Sequence, residues 1–113
     1  MLNILKKLEK LLREYDFIIE ANTVAGSIEL FKINQSRAYQ QIAAENWWIG
    51  KDAVAEADLS IAGGFTAKAR SDQQQLQQYF IDLYQRLEDA GYAGEYAKIV
   101  TSQYRKWQIS GML

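Results

Sequence analysis

The sequence predicts a mainly α-helical protein, a single-domain bundle of four to five helices that covers residues 1–113. Two stretches predict this class, because apolar side chains recur in them every three or four residues, the spacing of one helix face. In the first stretch the apolar stripe consists of Leu5, Leu8, Leu12, Tyr15 and Ile19. In the second it consists of Leu76, Tyr79, Phe80, Leu83, Tyr84 and Leu87. Hydrophobic residues make up 49% of the chain, which is enough for a core that needs no disulfide or metal.

The first half of the chain predicts three helices in succession. The first covers residues 5–19, and we expect Asn22-Thr23 to interrupt or cap it. Residues 24–34 fit either a helix or a short strand, and we favour a helix because their apolar residues have helical spacing. Asn34 or Ser36 is then the N-cap of a short helix. The residues of this helix that we expect to face inward are Ala38, Tyr39 and Ile42.

The second half predicts two longer helices after an ambiguous segment. Residues 58–69 fit either a small β-hairpin or an ordered loop, because Gly63-Gly64 suits a hairpin turn whereas the Ala-rich flanks are poor strand formers. The helix of the second stripe begins at Ser71 in a capping-box pattern and ends at Gly91. A last helix begins near Gly94-Glu95. The residues expected on its buried face are Tyr96, Ile99, Val100, Tyr104 and Trp107.

The most informative local pattern is Glu45-Asn46-Trp47-Trp48-Ile49-Gly50. Neighbouring side chains diverge by about 100° on a helix and point to opposite sides of a strand, so two adjacent indoles cannot face the same way. We therefore expect one ring in the core and the other at or near the surface, with a turn at Gly50. The exposed ring would be either an anchor for a protein partner or a lid over the core.

The segment that begins at the tryptophans is locally acidic, since it carries Glu45, Asp52, Glu56 and Asp58 against Lys51. A solvated acidic loop is the simplest interpretation. Paired carboxylates can also serve glycoside hydrolysis or hold Mg²⁺ or Ca²⁺, although the spacing matches no EF-hand loop. A third interpretation is that the acidic patch attracts a basic protein partner. The candidate partner-binding residues are Trp47, Trp48, Glu45, Asp52 and Asp58.

Several chemistries are excluded within this chain by residue types that it lacks. It contains no histidine and no cysteine, which removes imidazole bases, thiol nucleophiles, thiolate zinc sites and disulfides. The net charge of −1 does not favour a nucleic-acid partner. No apolar run approaches the roughly 18 residues that cross a membrane. We therefore expect a cytoplasmic protein with no cofactor, no membrane association and no catalytic residue.

The pattern Trp47-Trp48-Ile49-Gly50, followed by a glycine-containing segment and the helix of the second stripe, resembles a family of small uncharacterised bacterial helical proteins. That family typically has Trp-Trp-Gly-Gly followed by a Gly-Ser stretch, so Ile49 and Lys51-Asp52 depart from its pattern. The resemblance covers about residues 36–90. It implies no activity, but similar small families resemble immunity proteins that neutralise a toxin.

Three functions are compatible with these features. The first is a non-enzymatic protein–protein interaction module, of the immunity type that the resemblance implies. The second is an enzyme or a binder of a small ligand or metal that uses the acidic residues of segment 45–58. The third is a structural homo-oligomer. For the oligomeric state, we expect either a monomer or a homodimer.

Overall fold

Seven α-helices and one short 3-10 helix follow one another along residues 1–110, which are the residues that the computed structural model describes. The 3-10 helix, Val54–Glu56, lies between the fourth and fifth α-helices. No strand occurs within residues 1–110, so the prediction of a mainly α protein is confirmed. The helices are α1 (Leu2–Glu14), α2 (Ile18–Ile33), α3 (Gln35–Ala43), α4 (Glu45–Trp48), α5 (Leu59–Ala62), α6 (Ala67–Asp89) and α7 (Glu95–Ser110).

The first helix ends earlier than the apolar stripe predicts. Asp16 adopts a positive φ of 61°, and this kink separates α1 from α2. The predicted break at Asn22-Thr23 is therefore wrong, because both residues lie inside α2, where the Thr23 hydroxyl donates to the Ile19 carbonyl. The helical interpretation of residues 24–34 is correct up to Ile33. The cap at Asn34 is also confirmed, since its side chain accepts a hydrogen bond from the backbone N–H of Arg37.

Residues 58–69 contain no hairpin. Asp58 accepts from the N–H of Ile61 and so caps the single turn of α5, and Thr66 accepts from the N–H of Ala69 and caps α6. The first backbone N–H groups of a helix have no partner within the helix, and each cap accepts from one of them. In a hairpin, the partner strand would have accepted from such N–H groups. Consequently α6 begins at Ala67 instead of at the predicted Ser71. Its predicted end is confirmed, because Gly91 follows the helix with a φ of 82°.

One hydrophobic core joins residues from α1 to α7. Helices α1 and α2 pack against each other as a pair, and α1 also contacts the long helix α6, which in turn packs against α7. The fully buried large residues of this core come from α1 and α6 and from the segments between α3 and α6; they include Leu5, Leu8, Leu12, Trp47, Trp48, Leu59, Leu76, Phe80, Leu83 and Leu87. No helix in the described part of the chain is long and apolar enough to cross a membrane.

The buried face of α7 differs from the predicted one. Ala97, Thr101 and Tyr104 are buried, whereas Ile99 is 55% exposed. The small residues at the start of α7 allow it to approach α3 closely. A Cβ on Gly94 would lie 2.7 Å from the carbonyl oxygen of Ala43. The chain therefore packs closely against the end of α3 directly before α7 begins.

Candidate functional site

Both tryptophans of the Trp-Trp pair are fully buried. Trp47 and Trp48 each have 0% exposure, so the expectation of one surface ring is wrong. The reason is that α4 contacts α3, the 3-10 helix and α7, and is therefore covered on more than one side. The Trp48 indole N–H donates to the carbonyl of Ile42 at 2.7 Å, and its ring lies 5.6 Å from that of Phe80. Neither ring can touch a partner in this conformation.

The chain turns immediately after the tryptophans, as predicted, because Gly50 has a φ of 111°. The segment that follows lines an open groove of about 470 Å³ together with residues of α6 and α7. Its apolar walls come from Ile49, Ala55, Ala57, Ile99 and Val100. Tyr104 and Trp107 add aromatic surface to the same groove.

Two glutamines of α6, one helical turn apart, line the buried side of the groove. Gln73 is 9% exposed, and its Oε1 accepts a hydrogen bond from the N–H of Leu59 at 2.7 Å. Gln77 is only 2% exposed, and its Oε1 is buried without a hydrogen-bond partner among the described residues. Because an unpaired buried acceptor is costly, Gln77 is the unusual polar group of this region.

The hydroxyl of Tyr104 ties the segment to α7, since it donates to the carbonyl of Ala55 at 2.9 Å. Burial raises the pKa of Tyr104 far above its usual value, and the negative charge of Glu56 raises this pKa further. The hydroxyl is therefore a protonated donor at neutral pH. It holds the 3-10 helix against α7, which forms the other wall of the groove.

The acidic residues of segment 45–58 do not form one patch. Glu56 and Asp58 line the groove. Glu45 instead lies beside Tyr96 at the start of α7, where its charge raises the pKa of the Tyr96 hydroxyl. Asp52 is exposed in the turn after Gly50, with a φ of 61°, and is not among the described residues that line the groove. The structure thus brings together two of the four carboxylates and separates the other two.

Among the described residues that line the groove, the charged ones are all acidic. Glu56 is exposed, and Asp58 uses one carboxylate oxygen to cap α5 while its side chain also lines the groove. No lysine or arginine is among the described residues that line it. In the part of the chain that the structure describes, no group of three or more acidic residues could hold a metal ion.

Sequence reasoning missed Gln73 and Gln77. The predicted core stripe of this helix contained only its apolar residues, from Leu76 to Leu87. A usable signal was present, because Gln73 and Gln77 continue the spacing of Leu76 and Phe80 and so belong on the core side. Polar residues at core positions are a typical sign of a structural hydrogen bond or a binding site.

Comparison with known proteins assigns no family to this fold. No family model, no curated protein and no solved structure matches the chain. The resemblance to the small bacterial Trp-Trp-x-Gly family therefore stays a prediction. What the structure defines is a single-core helical protein with an acidic groove between α6, α7 and the segment after the tryptophans.

Proposed function

We propose that this chain is a non-enzymatic binding module that holds a basic segment of a partner protein in the groove. The observation that carries the proposal is that one groove combines apolar walls with two carboxylates and no basic residue among its described lining. Complementary charge directs association and selects the partner, while apolar contact stabilises the complex. A segment with a basic side chain next to apolar ones fits both properties.

The exposed apolar residues of the groove support this function. Ile99 on α7 is 55% exposed, and Ile49 on the opposite wall is 37% exposed. Single exposed apolar residues are common, but two that face one concave surface provide apolar area that a partner can bury. The candidate partner-binding residues thus become Ile49, Ile99, Glu56 and Asp58. Trp47 and Trp48 belong to the core and are no longer candidates for partner contact.

The immunity-type role implied by the resemblance is one form of this proposal. An immunity protein binds a single partner tightly and needs no catalytic residue. We also propose the cytoplasmic location that the sequence leads us to expect. This location rests on the lack of cysteine and not on the groove.

A second candidate is a small-ligand binder. The volume of about 470 Å³ lies within the range of about 300–1,000 Å³ that small-molecule sites occupy. Against it, the groove is open rather than enclosed, so it would cover only part of a small ligand.

Site-directed photo-crosslinking in a lysate of the source cells tests the proposed function. The photoreactive residue p-benzoylphenylalanine replaces Ile99 in one variant and Ile33 in a matched control. Ile33 is 82% exposed at the end of α2 and is not among the residues that line the groove. We expect a protein adduct at position 99 that is absent at position 33. The added substitution Glu56→Lys should weaken this adduct, because it reverses a charge on the groove.

Three outcomes would contradict the proposal. Identical adducts at both positions would mean non-specific contact with the surface. No adduct at position 99 would favour the small-ligand candidate. An adduct between two copies of this chain, with a molecular mass that rises with concentration, would favour the structural homo-oligomer.

A further inference from the structure

Two neighbouring aromatic side chains of α7, Tyr104 and Trp107, line the groove. The centroids of their rings are 6.0 Å apart, and the ring planes meet at 45°. Trp107 is half-buried, whereas Tyr104 is only 6% exposed, so Trp107 provides most of the aromatic surface that a ligand can reach. The face of an aromatic ring is partly negative, and among the aromatic side chains the indole attracts cations most strongly.

A carboxylate lies close to this aromatic pair. The Tyr104 hydroxyl donates to the carbonyl of Ala55 at 2.9 Å, and the next residue in the chain, Glu56, also lines the groove. The charge of Glu56 acts on this hydroxyl, since it contributes to the raised pKa of Tyr104. A cation in the groove is therefore attracted by an indole and by a carboxylate at the same time.

The other residues of the groove select among cations. Much of the lining is apolar and includes Ile49, Ile99 and Val100, while one oxygen of Asp58 already accepts from the N–H of Ile61. A primary ammonium has three N–H donors and is strongly hydrated, so it would lose hydrogen bonds to water that apolar walls do not replace. A trimethylammonium group has the positive charge but no N–H donor, and its methyl groups gain from contact with apolar and aromatic surface.

We propose that the groove recognises the trimethylammonium group of a methylated lysine of the partner, which lies against Trp107 and pairs with Glu56. This inference rests on the proposed function and specifies the chemistry of the basic segment. The long aliphatic stem of lysine suits the apolar walls, because it buries apolar surface while the charged end stays near a carboxylate. Choline carries the same charged group on a shorter stem, so a small molecule of this kind gains less from the walls.

The first test measures the binding of small probes by NMR titration of the ¹⁵N-labelled protein. The probes are choline and the N-acetyl methylamides of trimethyllysine, of lysine and of a neutral analogue in which a tert-butyl group replaces the trimethylammonium. We expect trimethyllysine to bind roughly three- to tenfold more tightly than each of the others, because only it combines the cation, the methyl groups and the long stem. The indole N–H signal of Trp107 should shift, whereas those of the buried Trp47 and Trp48 should shift far less.

Variants then separate the aromatic contribution from that of the charge. Trp107→Leu keeps an apolar side chain without an aromatic face, so it should lower the preference for trimethyllysine over the neutral analogue roughly threefold, whereas Trp107→Phe should retain part of this preference. Glu56→Gln should weaken trimethyllysine roughly two- to fivefold, since this carboxylate is exposed to solvent, and should leave the neutral analogue unchanged. The matched control is Asp52→Asn, which removes an exposed carboxylate from outside the groove lining and should change neither probe. Circular dichroism checks that each variant folds.

The comparison of probes on the wild-type protein decides the proposal even if the Trp107 variants do not fold. Equal binding of trimethyllysine and its neutral analogue would overturn recognition of the cation, and equal binding of lysine would overturn recognition of the methyl groups. An unshifted Trp107 signal would also contradict the proposal, and tighter binding of choline would reject the methylated lysine in favour of a small molecule. Any of these results together with a groove-specific photo-adduct would retain the binding module and reject only the methylated lysine. Absence of the photo-adduct would reject the proposed function itself.

Discussion

Residues 45–48 and residues 49–60 are adjacent in sequence, but the first stretch buries both of its large side chains, whereas the second alternates between buried and exposed residues. Trp47 and Trp48 have no exposed area, whereas the following stretch exposes Ile49, Asp52 and Glu56. Large aromatic side chains gain the most from burial, so a conspicuous Trp pair first indicates a core. The less conspicuous residues after it line the groove in which we propose that a partner binds.

Each of the two regions has one paired and one unpaired buried polar side-chain atom, and in the first the Nε1 of Trp47 has no partner among the described residues. The indole N–H of Trp48 has its acceptor, the carbonyl of Ile42. Beside the second stretch, Gln73 is paired with the N–H of Leu59, but the Oε1 of Gln77 has no partner among the described residues. Unpaired polar groups are tolerated where a function uses them, because function and stability often conflict. An unpaired polar atom therefore does not by itself distinguish the two regions; we propose a binding role for the second because it lines a groove with two carboxylates.

The largest effect should come from Trp48→Ala. This change removes a fully buried ring that contacts Phe80 and leaves the Ile42 carbonyl without its donor. We expect the free energy of unfolding to fall by about 3–5 kcal/mol. Urea unfolding followed by circular dichroism measures it. Trp48→Phe, which keeps an aromatic ring but not the N–H, should lose less.

A loss below about 1 kcal/mol for Trp48→Ala would contradict the assignment of this ring to the core. It would restore the interpretation of Trp48 as a surface anchor. Urea unfolding monitored by a second probe, such as the fluorescence of the remaining tryptophans, checks that the transition is two-state before free energies are compared.

The next effect distinguishes the two glutamines of α6. Gln73→Leu removes the acceptor of the buried Leu59 N–H, so it should lower the free energy of unfolding by about 1–3 kcal/mol. Gln77→Leu removes an oxygen that has no partner and should leave stability unchanged or raise it by up to about 1 kcal/mol. Both substitutions place the same residue at buried sites one turn apart, so each is the control of the other. Equal losses would mean that Gln77 has a structural partner after all.

The fold was largely predictable because the long helices carry strong periodic signals. The stripe from Leu76 to Leu87 fixed α6, and Gly91 and Gly94-Glu95 marked the helix boundaries correctly. The kink at Asp16 was not predictable from the sequence. Its positive φ depends on how α1 and α2 pack against each other and not on the local preference of aspartate. Asp58 and Thr66 are of residue types that commonly cap helices. The Gly63-Gly64 pair nevertheless suggested a hairpin turn instead.

The candidate site was predictable only in part. The sequence identified the acidic segment, and two of its members, Glu56 and Asp58, line the groove. It could not separate them from Glu45 and Asp52, because their relative positions depend on the turn at Gly50 and on the packing of α4. Nor could periodicity on a single helix show that Trp47 and Trp48 are covered from several sides. These features depend on the tertiary packing of short helices and turns, such as α4 and the turn at Gly50.

The smallest of the three expected losses of stability concerns Tyr104, which joins residues 49–60 to α7 through its hydrogen bond to Ala55. Tyr104→Phe removes the hydrogen bond to the Ala55 carbonyl and should lower the free energy of unfolding by about 1 kcal/mol at neutral pH. The loss should be smaller than for Gln73→Leu, because a carbonyl tolerates a missing partner better than an N–H does. Urea unfolding at pH 7 measures this difference between wild type and variant.

The same variant has a pH signature with a defined sign. The pKa of Tyr104 is raised in the folded protein by burial and by Glu56, so the phenol stays protonated after its unfolded counterpart ionises near pH 10. Its contribution to stability is therefore fully present below about pH 10 and is lost as the pH rises further, at up to about 1.4 kcal/mol per pH unit. Wild type should lose stability above pH 10 faster than Tyr104→Phe, and the gap between them should narrow. A gap that stays constant to pH 11 would show that the hydroxyl is open to solvent, and the segment after the tryptophans would then not be held against α7 as described.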